Sequence, residues 1–267
     1  MSLKIGILAD KTLSDFRLKT IQPILQNVEF LVALAVVHNR TERTLKQKFA
    51  DNIKRKRGAY ILVLAISALF KGKPAGVKAI DFFRKNRVKT LETNSLYSSE
   101  VIERLKYEAL DVLLLVCDAG IIKEPLLSVT RVGILSYHHG DMRKFRGLPP
   151  AFWELYNHEK KMGITVQILS PELDSGIPVE EKSIEIFCWD CPNTLVSRAF
   201  KESEDMMHNA LIKLQSPEFV PQPLESFGPV YTFPRLSAWL YMYCKILARR
   251  IQYHFGYRSA NLLTRRI

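Results

Sequence analysis

The chain has 267 residues, 47% of them hydrophobic and 25% charged, a balance that argues against disorder and a length that suits one α/β domain with an appendage or two small domains. Four cysteines without a paired framework argue against a disulfide scaffold, and there is neither a signal-peptide core nor an apolar run of membrane-spanning length, so the expected location is the cytoplasm. The formal charge of +12, from 39 Lys and Arg against 27 Asp and Glu, favours an anionic partner: a small polyanion, a nucleotide-linked substrate, RNA or an acidic membrane surface.

Lys4 to Ala9 (KIGILA) is a short apolar run ending at Asp10 and reads as a buried strand. Thr12 to Gln26 spaces Leu13, Phe16, Ile21, Ile24 and Leu25 as a helix does, with Pro23 as an irregularity. Glu29 to Val37 is a second strand, and strand, helix, strand at this spacing opens a parallel, doubly wound sheet. Residues 41–57 read as a polar helix that ends in the basic run Lys54 to Arg57, a solvated face, and Tyr60 to Phe70 as an apolar helix packed on the body. Glu100 to Ala109 is amphipathic and leads into Asp111 to Cys117, the clearest buried strand of the chain. Asp118-Ala119-Gly120 then sits where open α/β sheets bind ligands. Val132 to Ser136 is a further strand, followed by a polar loop to Pro150 and a helix over Ala151 to His158. Gly163 to Ser170 and Ile177 to Ile186 form a β pair around the turn Asp174-Ser175-Gly176. Asn193 caps a helix running to about Leu214. Pro217 to Pro234 reads as an arm, and Leu236 to about Phe255 as a basic, aromatic helix.

Chemistry concentrates in two segments. Residues 136–150 (SYHHGDMRKFRGLPP) follow a strand and hold two histidines, an aspartate and several cations, while residues 169–176 (LSPELDSG) add a carboxylate at a tight turn. A His and an Asp on neighbouring loops suffice for proton transfer, because the carboxylate orients the imidazole and holds its pKa near neutrality. His139 and Asp141 beside His138 do not make a metal site, since loop neighbours rarely share an ion. Cys188-Trp189-Asp190-Cys191 is a lone CxxC without a second pair, and no G-x-G-x-x-G follows the first strand, which disfavours zinc and a nicotinamide dinucleotide.

Taken in order, S-Y-H at 136–138, R-G-L-P-P at 146–150, F-W at 152–153, G-I-T-V at 163–166 and L-D-S-G at 173–176 resemble the shared core of the enzymes that formylate amines with 10-formyltetrahydrofolate. These include glycinamide ribonucleotide, methionyl-tRNA and sugar-nucleotide formyltransferases. The run 111–127 resembles the strand and short helix that lead into that motif. The resemblance implies an α/β, Rossmann-like doubly wound, mostly parallel sheet, with residues 1–215 as the catalytic domain and 216–267 as an arm and a basic amphipathic helix. It implies His138 as general acid/base and Asp174 as its orienting and proton-relaying partner. Ser136 stands where the family has an Asn that holds the formyl oxygen. The co-substrate 10-formyltetrahydrofolate, with no metal, is expected between Gly120, Ile121, Ile122 and Leu127 on one wall and Leu169, Ser170, Pro171, Glu172 and Leu173 on the other. Arg146 and His139 are candidate acceptor-binding residues, and Arg146 equally fits a role capping backbone carbonyls.

The expected acceptor is a small, anionic amine such as an amino sugar, because a methionyl-tRNA formyltransferase is expected to carry a sizeable β-barrel after the catalytic domain and only an arm and a helix follow residue 216 here. RNA is the lesser reading. A formyltetrahydrofolate hydrolase, or a family member that keeps folate binding without catalysis, are the rivals. The C-terminal helix, with Trp239, Tyr241, Tyr243, Tyr253, Lys245, Arg249 and Arg250, is read as packing on its own domain or on a second subunit in a homodimer, or else as lying on an acidic membrane surface.

Overall fold

A computed structural model describes residues 2–40 and 76–264, together with Gln47 and Ala50, with side chains through Tyr253. The helices expected over 41–57 and 60–70 lie essentially outside the described residues. Strands β1 (Leu3–Asp10), β3 (Phe30–His38), β5 (Lys89–Thr93), β6 (Val112–Val116), β7 (Gly133–His138), β9 (Lys161–Ile168) and β10 (Ile177–Glu185) form one seven-stranded sheet in the order β10-β9-β7-β6-β1-β3-β5. The five from β7 to β5 are parallel, and β9 and β10 are antiparallel additions. The remaining strands are two-residue bridges: β2 (Thr12–Leu13) with β4 (Val77–Lys78), and β8 (Arg146–Gly147) with β11 (Val230–Tyr231).

Period-two alternation makes the sheet bury both faces. Ile5, Ile7, Ala9, Val112, Leu114 and Leu135 join one apolar cluster, while Leu8, Leu34, Val36, Leu113 and Ile134 join the other. The first cluster takes helices α1 (Asp15–Gln26), α2 (Ala79–Lys85), α4 (Phe152–Tyr156), α5 (Pro192–Glu202), α6 (Met206–Gln215) and α7 (Leu236–Thr264). The second takes α3 (Ser99–Tyr107) and the segment around Ile122, Leu126 and Val129. This is the expected doubly wound, mostly parallel arrangement.

Several local expectations need correction. The strand runs past Ser136 to His138, which lies within β7 rather than on the loop after it, so the histidine is fixed by a ladder with Thr165 of β9. The helix after the CxxC starts earlier than expected: Cys191 is the cap and Pro192 the first residue, because proline at that position sacrifices no hydrogen bond that the helix could make. That helix also stops at Ser203. The Ser203 hydroxyl bonds back to the Ala199 carbonyl at 2.7 Å, and its own carbonyl accepts the Tyr137 hydroxyl at 2.7 Å, so α6 begins anew at Met206. Helix α2 and strand β5 lie in a stretch for which no element was expected. The C-terminal helix runs on to Thr264.

The segment from Ser216 to Arg235 lies along the 140–150 loop. Gly228 N–H donates to the Met142 carbonyl at 2.9 Å, and Leu148 N–H to the Tyr231 carbonyl at 3.1 Å. Gly147 sits at φ +91°, and a Cβ there would stand 2.1 Å from the Tyr231 carbonyl oxygen. Gly147→Ala therefore combines a left-handed strain with a backbone clash. It is expected to cost about 2 kcal/mol or more of stability, read as a fall of several degrees in the calorimetric melting temperature. An unchanged melt would mean the arm does not press on this loop.

Candidate active site

The sheet order reverses direction at β1: the chain passes from β1 to β3 and β5 on one side, and then to β6 on the other. The crevice beyond the carboxyl ends of β1 and β6 is therefore the place where a fold of this kind takes its ligand. Arg17, in the first turns of α1, spans it. Its guanidinium meets Asp10 Oδ2 at 2.5 Å and Asp118 Oδ1 at 2.8 Å, and the Asp118 N–H also donates to Asp10 Oδ2 at 3.1 Å. Beside this cross-link is a cleft of about 450 Å³, bordered by Ser136 and Cys117 and walled by the rings of Phe16, Tyr137, His139 and Phe200. Phe16 stacks on Phe200 at 4.7 Å, and His139 on Tyr137 at 5.4 Å. Burial among these rings, with the His138 charge next to it, pushes His139 down to about pKa 3, so it is neutral at physiological pH. The Cys117 thiol is pushed up to about 12 by burial and the Asp10 charge, which leaves it inert.

Strand β7 carries two of the candidate side chains, Ser136 and His138. They are two residues apart and share one face of the strand. His138 is buried, and its Nδ1 lies 3.4 Å from Asp174 Oδ1. Its Nε2 is 2.9 Å from the Phe145 carbonyl oxygen, which can only accept, so Nε2 carries a proton. Both ring nitrogens thus face acceptors, and the doubly protonated ring satisfies both. Burial alone would lower the His138 pKa, but the hydrogen bond and charge of Asp174 outweigh it and the net shift is upward. Asp174 moves the other way: its desolvation is overcome by His138, so the carboxyl lies below the usual aspartate range.

Asp174 is held at a strained turn. It sits at φ +47°, and its second oxygen accepts the Gly147 N–H at 2.7 Å. Gln167, buried in β9 directly across from Ser136, anchors the same turn by accepting the Gly176 N–H at 2.9 Å. Glu154 on α4 is a third buried carboxyl. Burial raises its pKa to about 7, against a smaller downward pull from His138. Neither residue was expected at the site. The signal for Glu154 was an acid inside the apolar run Phe152 to Tyr156, and for Gln167 a polar residue at a strand position whose neighbours are all apolar.

The remaining candidates divide by location. Ile122 is buried in the α3-side cluster, and Leu127 and Leu169 pack against the same cluster, so these three candidates share one face of the sheet. Gly120 sits at φ +73° with open space where a Cβ would project. Ile121 and Leu173 expose 53% and 38% of their surface, high for isoleucine and leucine, and Pro171 and Glu172 are exposed beside Leu173. The Ser170 hydroxyl bonds the Glu172 carbonyl at 3.2 Å and closes that turn. His139 lines the aromatic cleft. Arg146 turns to backbone instead, donating to the Gly228 carbonyl at 2.6 Å and the Leu173 carbonyl at 3.4 Å. No cluster of potential metal ligands occurs among the described residues.

The family model described as formyl transferase matches residues 34–211, about two thirds of the chain. The chain belongs to the formyl transferase family. Among its relatives, a methionyl-tRNA formyltransferase of Trichormus variabilis is 24% identical over 217 residues, covering 81% of this chain and 58% of that protein. The chain spans about half the length of the curated formyl transferases it matches. Solved structures of the family share the fold. Glycinamide ribonucleotide transformylase 1 from Geobacillus kaustophilus superposes with a TM-score of 0.56 at 16% identity, covering 81% of this chain and all of the other. The N-formyltransferase from Helicobacter canadensis, in complex with folinic acid and dTDP-3-aminofucose, gives 0.53 at 10% identity, covering 86% of this chain and 70% of the other.

Proposed function

We propose that this protein transfers the formyl group of 10-formyltetrahydrofolate to the amine of a small acceptor. The observation that carries this reading is the His138–Asp174 pair, built into the end of a central strand and anchored through Gly147. As the acceptor nitrogen bonds to the formyl carbon, negative charge collects on the formyl oxygen, where the Ser136 hydroxyl is the donor to hand on the same face of β7. Collapse breaks the bond to the folate nitrogen, which leaves with a proton from the His138 imidazolium once its Nε2–H has turned from the Phe145 carbonyl to the substrate. The proton shed by the attacking amine restores His138, and Asp174 stabilises the charged ring throughout. The pterin is assigned to Gly120, Ile121, Ile122, Leu127 and the 169–173 turn, where Ile121 and Leu173 are the exposed apolar side chains.

The cleft beside Ser136 is of small-molecule size, which favours a compact acceptor such as an amino sugar over a tRNA end. Arg17 is already held by two carboxylates, so an acidic group on the acceptor must compete with Asp10 and Asp118 for it. Calorimetric titration with a stable formyltetrahydrofolate analogue is expected to give saturable one-to-one binding, weakened by Ile121→Glu or Leu173→Glu. Absence of binding would overturn the co-substrate assignment. Turnover of 10-formyltetrahydrofolate is then expected to require an added amine from a series of amino-sugar nucleotides. Formate release without one would make the protein a hydrolase.

A further inference from the structure

The β7–β9 ladder places four polar side chains on one face of the sheet. Paired residues on antiparallel strands project to the same side, about 5 Å apart at Cβ, and the ladder pairs Ser136 with Gln167 and His138 with Thr165. The same face presents Leu8, Leu113 and Ile134 to an apolar cluster, so polar groups beside them stand there at a cost. Ser136 borders the cleft of about 450 Å³, and Gln167 is its lateral neighbour. Gln167 is 1% exposed, and a glutamine is seldom buried so deeply without hydrogen bonds to hold it. Its Oε1 accepts the Gly176 N–H at 2.9 Å. A backbone N–H can only donate, so this bond fixes which end of the carboxamide is the oxygen and leaves the NH2 group turned away from Gly176. Among the described residues nothing accepts from that group.

The other polar groups on this face are engaged. His138 faces Asp174 and the Phe145 carbonyl, and Thr165 Oγ1 donates to the Gly140 carbonyl at 3.5 Å. The Ser136 hydroxyl, with its long 3.4 Å contact, and the Gln167 NH2 group are the donors left over, side by side. The Gln167 oxygen is held by the turn that also carries Asp174, two residues before Gly176. Gly176 is packed against that bond: a Cβ there would stand 2.6 Å from Gln167 Oε1 and 2.1 Å from the Ile168 carbonyl oxygen. A donor fixed in this way needs no reorganisation when negative charge develops before it. We infer, on the formyl-transfer reading of the site, that Gln167 is a second oxyanion donor, its Nε2–H binding the formyl oxygen beside the Ser136 hydroxyl. No proton moves in this step. The hydrogen bond shortens as the amine adds to the formyl carbon and relaxes when the folate nitrogen departs.

The bland role for Gln167 is anchorage of the turn alone, and two substitutions separate the roles. Gln167→Glu keeps an oxygen for Gly176 and removes the NH2 group, whereas Gln167→Met removes both. The probe is 10-formyl-dideazafolate with an isotope-labelled formyl group, bound to the full chain in alkaline buffer, where the introduced carboxyl is ionised and cannot donate. The infrared stretch of the formyl carbonyl is expected at higher frequency in both variants than in wild-type protein, because a hydrogen bond to its oxygen has been lost. Titration of the probe into each variant reports whether the folate site is still formed. With an acceptor amine added, Gln167→Glu is expected to lower the turnover number about 10²-fold or more against wild type at the same pH, with little change in KM for the folate. A band that moves only in Gln167→Met would assign Gln167 to the turn and overturn the inference, as would a band that neither variant moves. A probe that fails to bind wild-type protein would instead overturn the formyl-transfer reading, and the oxyanion role with it.

Discussion

Replacing His138 by Ala is expected to lower the turnover number for formyl transfer by about 10²–10⁴-fold while leaving the fold intact, the range of a lost general acid/base. Asp174→Ala is expected to match it, because the two side chains act as one unit. Asp174→Asn is the more informative change. It keeps the hydrogen bond from Gly147 N–H but removes the charge that lifts the His138 pKa, so the imidazole should titrate at lower pH. Ring-proton NMR reads that shift directly, and a pH–rate profile whose histidine limb moves the same way ties it to catalysis. The same pair predicts a stability window. The raised His138 pKa contributes stability that is complete below the unfolded value and lost as pH rises through the folded one. The lowered Asp174 pKa contributes above its unfolded value and is lost as pH falls through its folded one. Both contributions are therefore complete between about pH 4 and about pH 6.5, and Asp174→Asn should flatten the stability curve on both sides of that window. Full activity in His138→Ala would remove this chemistry from the site.

Ser136 carries the second large effect. The hydroxyl has only a long contact, 3.4 Å, to the Tyr137 carbonyl, so it can turn towards a substrate oxygen at little cost. If it holds the developing oxyanion, Ser136→Ala should lower the turnover number by about 10²-fold or more with small change in folate affinity. Ser136→Asn should then at least restore the wild-type rate, because the carboxamide reaches further and the adjoining cleft of about 450 Å³ has room for it. Folate binding with no turnover in wild-type protein, rescued by Ser136→Asn, would identify the serine as the cause of an inactive site. Equal rates in all three proteins would place the oxyanion donor elsewhere.

What could be read from the sequence and what could not follow from the range of the interactions. Strand β6 was legible because five apolar residues between Asp111 and Cys117 suit a strand buried on both faces. His138 and Asp174 were legible because the segments carrying them keep a fixed order and interval. Strand β5 was missed because Lys89 to Thr93 alternates over too few residues, and its identity comes from pairing with β3. Helix α2 is two turns long and anchored mainly by Ala79 and Phe83. The partner of His138 Nε2 was illegible for a different reason: the Phe145 carbonyl belongs to the backbone, and no residue type announces it. Glu154 and Gln167 were passed over because their roles depend on contacts between segments, while their own neighbourhoods read as ordinary helix and strand.

The arm after α6 changes what counts as the smallest working piece of this protein. The family match ends at residue 211, yet the partners of the site's own loop come later: Gly228 receives Arg146, Tyr231 pairs with Gly147 and stacks on Trp153, and the Thr232 carbonyl accepts the Trp153 indole N–H. A fragment trimmed to the aligned region would therefore lose the outer rim that seats Gly147, and with it one of the two supports of Asp174. Fusions and tags belong beyond the arm, and a homologue's active loop cannot be grafted here without the distant segment that holds it shut.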